Sequence, residues 1–130
     1  MPTMADIVVL DKTGANVTYV AKTPSSGDRV PAIWTFDTKS AIIGFRPRFQ
    51  VVTRNNGSGN ARLLEASLSF PVTNTVDGLT SKLAQFGLSV SAVIPTNVDA
   101  GAIQDGYVQG TNLLVSALIR AVAETGYAPT

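Results

Sequence analysis

The chain contains neither histidine nor cysteine. Without cysteine there is no disulfide framework, no thiolate nucleophile and no thiolate metal site. Without histidine the commonest general base and the commonest metal ligand are both gone. Charged residues make up only 15% of the 130 positions. That is low for a small soluble monomer and points either to surface buried against other chains or to a surface rich in Ser, Thr and Asn. The net charge is +1, so any basic patch must be local. No apolar run approaches the roughly 20 residues that span a bilayer. Asp6 precedes a very short apolar run with no basic start, so the beginning does not read as a secretory leader. The acids are scattered, from Asp6 to Glu124, and no pair has the spacing of a general acid and base. No enzyme, metal, cofactor, small-molecule substrate or membrane contact is expected from such a chain.

Apolar residues, by contrast, make up 45%, enough for one domain with a real core. The stretch Ile42 to Val72 organises the rest. Two runs of strand-type residues flank Asn-Asn-Gly-Ser-Gly-Asn, the strongest turn signal present, and predict a long β-hairpin. Four of the six arginines lie here, and Glu65 is the only acid. Ahead of it, Ile7–Leu10 and Val17–Ala21 read as a small hairpin within residues 1–22, and Val30–Phe36 as a third strand. Pro31 then belongs at that strand's start or on an edge. Thr73 to Lys82 reads as a long connection, either a contact element or a surface loop. Leu83–Ile94 reads as the last strand, closing a sheet over residues 30–94.

Helix signals follow in residues 97–125. Thr96, Asn97 or Asp99 can cap a first helix running to about Gln109. Gly110-Thr111-Asn112 looks like a break, and Leu113–Glu124 like the better helix, stopped by Gly126. Only Ser116, Arg120 and Glu124 make a polar line on it. A helix so apolar needs cover on more than one side, and a second subunit is the simplest source.

Alternate residues of a strand share a face. Arg46, Arg48, Gln50, Val52 and Arg54 fall on one face of the first arm, and Leu63, Glu65, Ser67 and Ser69 on the polar face of the second. Gln85, Ser89 and Ser91 lie on the polar side of the last strand, with Phe86 on its apolar side. Pro47 marks a kink or a break in the first arm. The hairpin therefore has one apolar side and one polar, basic side. Trp34 and Phe36 read as packing residues.

This ordered set resembles the coat proteins of the small single-stranded RNA bacteriophages, the levivirus-like family. The resemblance runs over nearly the whole chain. It is carried by the opening IVVLDKTGANVTYVA, the Trp34 strand after a polar loop, and RFQVVTRNNGSGNARLLEASLSFPV. It continues in TNTVDG, in Val93-Ile94-Pro95-Thr96-Asn97 leading into helix, and in the ending Tyr127-Ala128-Pro129-Thr130. It implies an α+β fold: an N-terminal hairpin, an antiparallel meander sheet, and two C-terminal helices packing on the partner's sheet in an intertwined homodimer. Leu114, Leu118, Ala121 and Val122 would make that helix contact. The dimers would close an icosahedral shell, usually T=3, around single-stranded RNA. Thr73, Asn74, Thr75, Val76, Asp77 and Gly78 would meet neighbouring dimers in the family's long loop. The virion would be the protein's location, and the bacterial cytoplasm its place of assembly.

In that reading Arg46, Arg48 and Arg54 supply charge for phosphates, with Arg62 a further candidate. Gln50, Ser67, Ser69, Gln85, Ser89 and Ser91 hydrogen-bond bases, phosphates or 2′-hydroxyls. Glu65 pairs with a neighbouring arginine, accepts from a base, or does neither. A translational-operator hairpin is a further candidate ligand, but no aromatic falls where a base would stack. Two rivals remain: a non-viral β-sheet RNA-binding module, and a self-assembling structural protein with no nucleic acid.

Overall fold

The computed structural model describes residues 2–57 and 59–130. They form two compact units, residues 1–94 and 95–130. The first is a six-stranded antiparallel sheet whose order in space is its order in sequence. The strands are β1 (Ile7–Leu10), β2 (Asn16–Thr23), β3 (Ala32–Thr35), β4 (Arg48–Asn55), β5 (Ala61–Val76) and β6 (Leu79–Pro95). A bulge between Ala21 and Thr23 offsets the pairing of β2 with β3.

The central hairpin forms as its turn signal predicts. Asn56 N–H donates to Ala61 C=O at 3.1 Å and Gly59 N–H to Asn56 C=O at 3.2 Å. Ser58, part of that turn signal, lies outside the described residues. One side of the sheet is apolar: Trp34 packs on Phe49 with ring centroids 5.7 Å apart, and Tyr19 on Phe36 at 5.6 Å. The indole N–H of Trp34 donates to Ala5 C=O at 2.8 Å, and Asp6 accepts from Ala21 N–H at 2.8 Å, so the N-terminal segment is tied to this side.

Two expectations fail in the sheet. The arm before Pro47 is not strand: Ile43–Phe45 is a single 3-10 turn, and β4 begins only at Arg48. Pro47 is fully buried at that change of structure. Nor is Thr73–Lys82 a long loop. Strands β5 and β6 run through it to a two-residue turn at Asp77 and Gly78, whose φ angles are +53° and +77°. Positive φ at both positions matches the twist of a tight hairpin, and Asp-Gly is a favoured pair there. Thr75 and Thr80 face each other with hydroxyls 3.0 Å apart.

Gly78→Val should therefore cost about 1–2 kcal/mol, because a Cβ opposes the left-handed conformation. Amide exchange at Thr75 and Thr80 should accelerate by about tenfold. Unchanged protection would mean that the turn does not hold the hairpin.

The second unit holds α1 (Ala100–Leu114) and α2 (Ala117–Thr125). The first helix does not stop at Gln109, nor break at Gly110-Thr111-Asn112. Thr111 sits inside it, its hydroxyl donating back to Tyr107 C=O at 2.9 Å. The break falls at Val115-Ser116, with Ser116 extended at the N-cap position of α2. Gly126 ends α2 as expected: it has φ +79° and donates its N–H to Val122 C=O at 2.7 Å. No helix among the described residues is long and apolar enough to cross a membrane.

Little of the apolar content is covered. Among the described residues Ala61, 6% exposed, is joined in the buried class only by Pro47 and Pro71. Leu79 and Leu83 on β6 are 77% and 69% exposed, and Leu113 and Leu118 on the helices 66% and 59%. Strand β6 is also the last in its sheet, so one long edge has no strand beyond it.

Candidate nucleic-acid interface

The register of β4 on β5 sets the polar side of the hairpin. Arg48 lies opposite Ser69, Gln50 opposite Ser67, Val52 opposite Glu65 and Arg54 opposite Leu63. Directly opposed residues project to the same side. Strand β6 extends this surface. Arg48, Gln50, Ser67, Ser69, Gln85 and Ser89 border one shallow depression, and Glu65 and Ser91 border a second beside it. The structure thus brings together nine of the ten residues singled out above, counting Arg54 through its register position. Lys82, which the sequence reading passed over, joins them by donating to Gln85 Oε1 at 2.6 Å. Its signal was weak because it falls in the segment read as loop.

The tenth residue, Arg46, lies apart. It follows the 3-10 turn rather than lying in β4, and it borders neither depression. Its Nε donates to Ser40 C=O at 2.8 Å, and its guanidinium approaches Asp37 at 3.4 Å. Asp37 also takes Lys22 Nζ at 2.5 Å and the hydroxyl of Thr35 at 2.5 Å. Arg62 projects to the opposite side of the sheet with Asn55, its partner in the register. There it pairs with Asp28 at 2.5 Å and donates to Asn55 Oδ1 at 2.7 Å.

The arginines of the hairpin are therefore not equivalent. Arg46 meets Asp37, Arg62 meets Asp28, and Arg54 meets Glu65 at 3.5 Å. Arg48 has no carboxylate partner among the described residues; it donates to the neutral amide of Gln50 at 3.4 Å. The side bearing Arg48 and Arg54 presents no aromatic ring from β4 or from residues 63–69 of β5. It offers hydroxyls, amides and a small surplus of positive charge, which suits a polyanion held by its backbone.

The bond from Lys22, then that from Thr35, and lastly the charges of Lys22 and Arg46 hold the Asp37 carboxyl below the usual carboxylate range, against the opposing effect of desolvation. Arg62 lowers that of Asp28 in the same way. A carboxyl depressed on folding stabilises the fold above its unfolded pKa of about 4 and loses that contribution as pH falls through the lower, folded value. Asp37→Asn should therefore lower the thermal midpoint at neutral pH. The gap from the parent should shrink as pH drops below about 4. A gap independent of pH would show that the charge of Asp37 is irrelevant to stability.

The architecture itself defines a class. A six-stranded meander followed by two helices is the fold of the RNA phage coat proteins, and this chain has it. It is similar to the virus-like particle subunit of Beihai levi-like virus 21, with a TM-score of 0.83, 18% identity and 99% of both chains covered. The virus-like particle of bacteriophage NT-214 matches with a TM-score of 0.80 at 15% identity, over 99% of this chain and 100% of that one. The capsid protein of bacteriophage GA matches with a TM-score of 0.67 at 21% identity, over 93% and 94%. No protein-family model and no curated protein sequence matches the chain.

Proposed function

We propose that the chain is a virion coat protein. It dimerises, assembles into an icosahedral T=3 shell in the bacterial cytoplasm, and encloses single-stranded RNA against the polar side of its sheet. The observation that carries this reading is end-to-end likeness in fold to subunits of virus-like particles. The uncovered apolar surfaces support the dimer. Burying a Leu side chain is worth about 1.5–3 kcal/mol, so leaving Leu79, Leu83, Leu113 and Leu118 in water forfeits as much as a typical domain's net stability. The open β6 edge carries Lys82 as its single charge, and long apolar edges of this kind pair with another chain. The helices of one subunit then lie on the sheet of its partner, and the β5–β6 turn meets neighbouring dimers.

A shell without nucleic acid is the second reading. It is favoured by the carboxylates already paired with Arg46, Arg54 and Arg62. Both are tested by electron microscopy of protein expressed alone in bacteria, with the ratio of absorbance at 260 and 280 nm read on the same fraction. Uniform round particles with a nucleic-acid-rich spectrum are expected. Uniform particles with a protein spectrum would select the second reading, and small species alone would overturn both.

A further inference from the structure

Glu65 is the single acid of strands β4 to β6, and it lies on the side of the sheet that carries Arg48 and Arg54. The register places it directly across from Val52, so it meets Arg54 on the diagonal, 3.5 Å from Nη2. Both side chains are accessible to solvent, and the neighbouring positions Ser67, Ser69, Gln50 and Ser89 are uncharged. From this geometry we infer that Glu65 is an internal competitor for Arg54: it occupies the guanidinium that a phosphate would take and weakens capture of RNA at this point. The inference rests on the RNA-facing reading above.

The physical basis is simple. Without RNA, Arg54 and Glu65 sum to zero charge. A phosphate that reaches Arg54 must displace the carboxylate and remain beside it. Exposed pairs of this kind are weak, and the repulsion between two such charges in water is equally modest. Together they set a penalty of about three- to tenfold in affinity. The pair also hides one cation from the counterion balance of the RNA. Arg48 carries no such brake, so capture concentrates on it, and RNA held at Arg54 stays exchangeable. An acid at this place trades tight local binding for a contact that can be remade along a strand.

The test is a titration of fluorescently labelled oligouridylate with RNA-free, full-length protein over a series of salt concentrations, read by anisotropy. Glu65→Gln keeps the shape and removes the charge; Glu65→Ser, matching Ser67 and Ser69, is a second variant of the same sign. Either should bind about three- to tenfold more tightly than the parent. The slope of log affinity on log salt should steepen by about 0.7, the share of one further neutralised phosphate on a single strand. A merely structural role for Glu65 would not move that slope. In an Arg54→Gln background the gain should shrink, since no guanidinium is left to release; a gain of full size there overturns the role of Arg54. Equal or weaker binding by both Glu65 variants overturns the inference alone and marks Glu65 as a base acceptor or a bystander. No binding by any of the proteins, the parent included, overturns the RNA-facing reading and the inference with it.

Discussion

Replacing Leu114 and Leu118 together by Asp should abolish particles and leave small, poorly soluble species. Both residues are exposed in the single chain, Leu114 at the end of α1 and Leu118 in the first turn of α2. In a two-fold dimer each appears twice, so four leucines leave the contact at once. At about 1.5–3 kcal/mol each, the loss is on the order of 6–12 kcal/mol per dimer before the cost of burying carboxylates is counted. Six kcal/mol is already more than about four decades in a dissociation constant. The helices themselves should survive, because nothing in their capping involves these side chains: Gly126 still closes α2. Light scattering after size exclusion, with far-ultraviolet circular dichroism on the same sample, reads both quantities. Glu124→Gln, on the polar line of α2, is the control and should assemble normally. Normal particles from the double variant would remove the helices from the subunit contact.

The second large effect is on RNA content. Arg48→Ala with Arg54→Ala should lower the RNA carried per particle while leaving the dimer intact, since both side chains lie on the polar side of the hairpin. Their shares differ. A hydrogen bond to a charged group contributes about 1.5–3 kcal/mol, and Arg48, with no carboxylate partner among the described residues, delivers it in full. Arg54 delivers less because Glu65 already holds it. Arg48→Ala alone should thus weaken RNA binding by about ten- to a hundredfold, and Arg54→Ala alone by much less. The ratio of absorbance at 260 and 280 nm on purified particles orders the three variants. Unchanged ratios throughout would count against the assignment of this face to the shell interior.

Much of this arrangement was legible in the residues. Alternation along β4, β5 and β6 placed Arg48, Gln50, Ser67, Ser69 and Gln85 together, because alternation is a property of any extended strand with one side in the core. Arg46 was carried across Pro47 to a position outside β4, where its guanidinium is engaged by Ser40 and Asp37. The segment from Thr73 to Lys82 looked like loop by its polarity. Its threonines and Val76 are in fact good strand formers, and Asp77-Gly78 is the pair that turns the hairpin. The break between helices was misplaced for a related reason. Thr111 can cap a helix or bond backward within one, and sequence alone does not say which; here it bonds backward. The pairing of Arg62 with Asp28 joins residues far apart in the chain, a contact that no local pattern encodes.

The sequential order of the strands has a consequence for how the protein is made. Each strand pairs with the one synthesised just before it, so the sheet can close strand by strand as the chain leaves the ribosome. The helices, with much of the uncovered apolar surface, emerge after the sheet is complete. In the proposed dimer, the meeting of two chains would grow in rate with the square of subunit concentration, so a burst of synthesis would favour assembly, while a trickle would leave solitary chains with an open edge to aggregation and proteases.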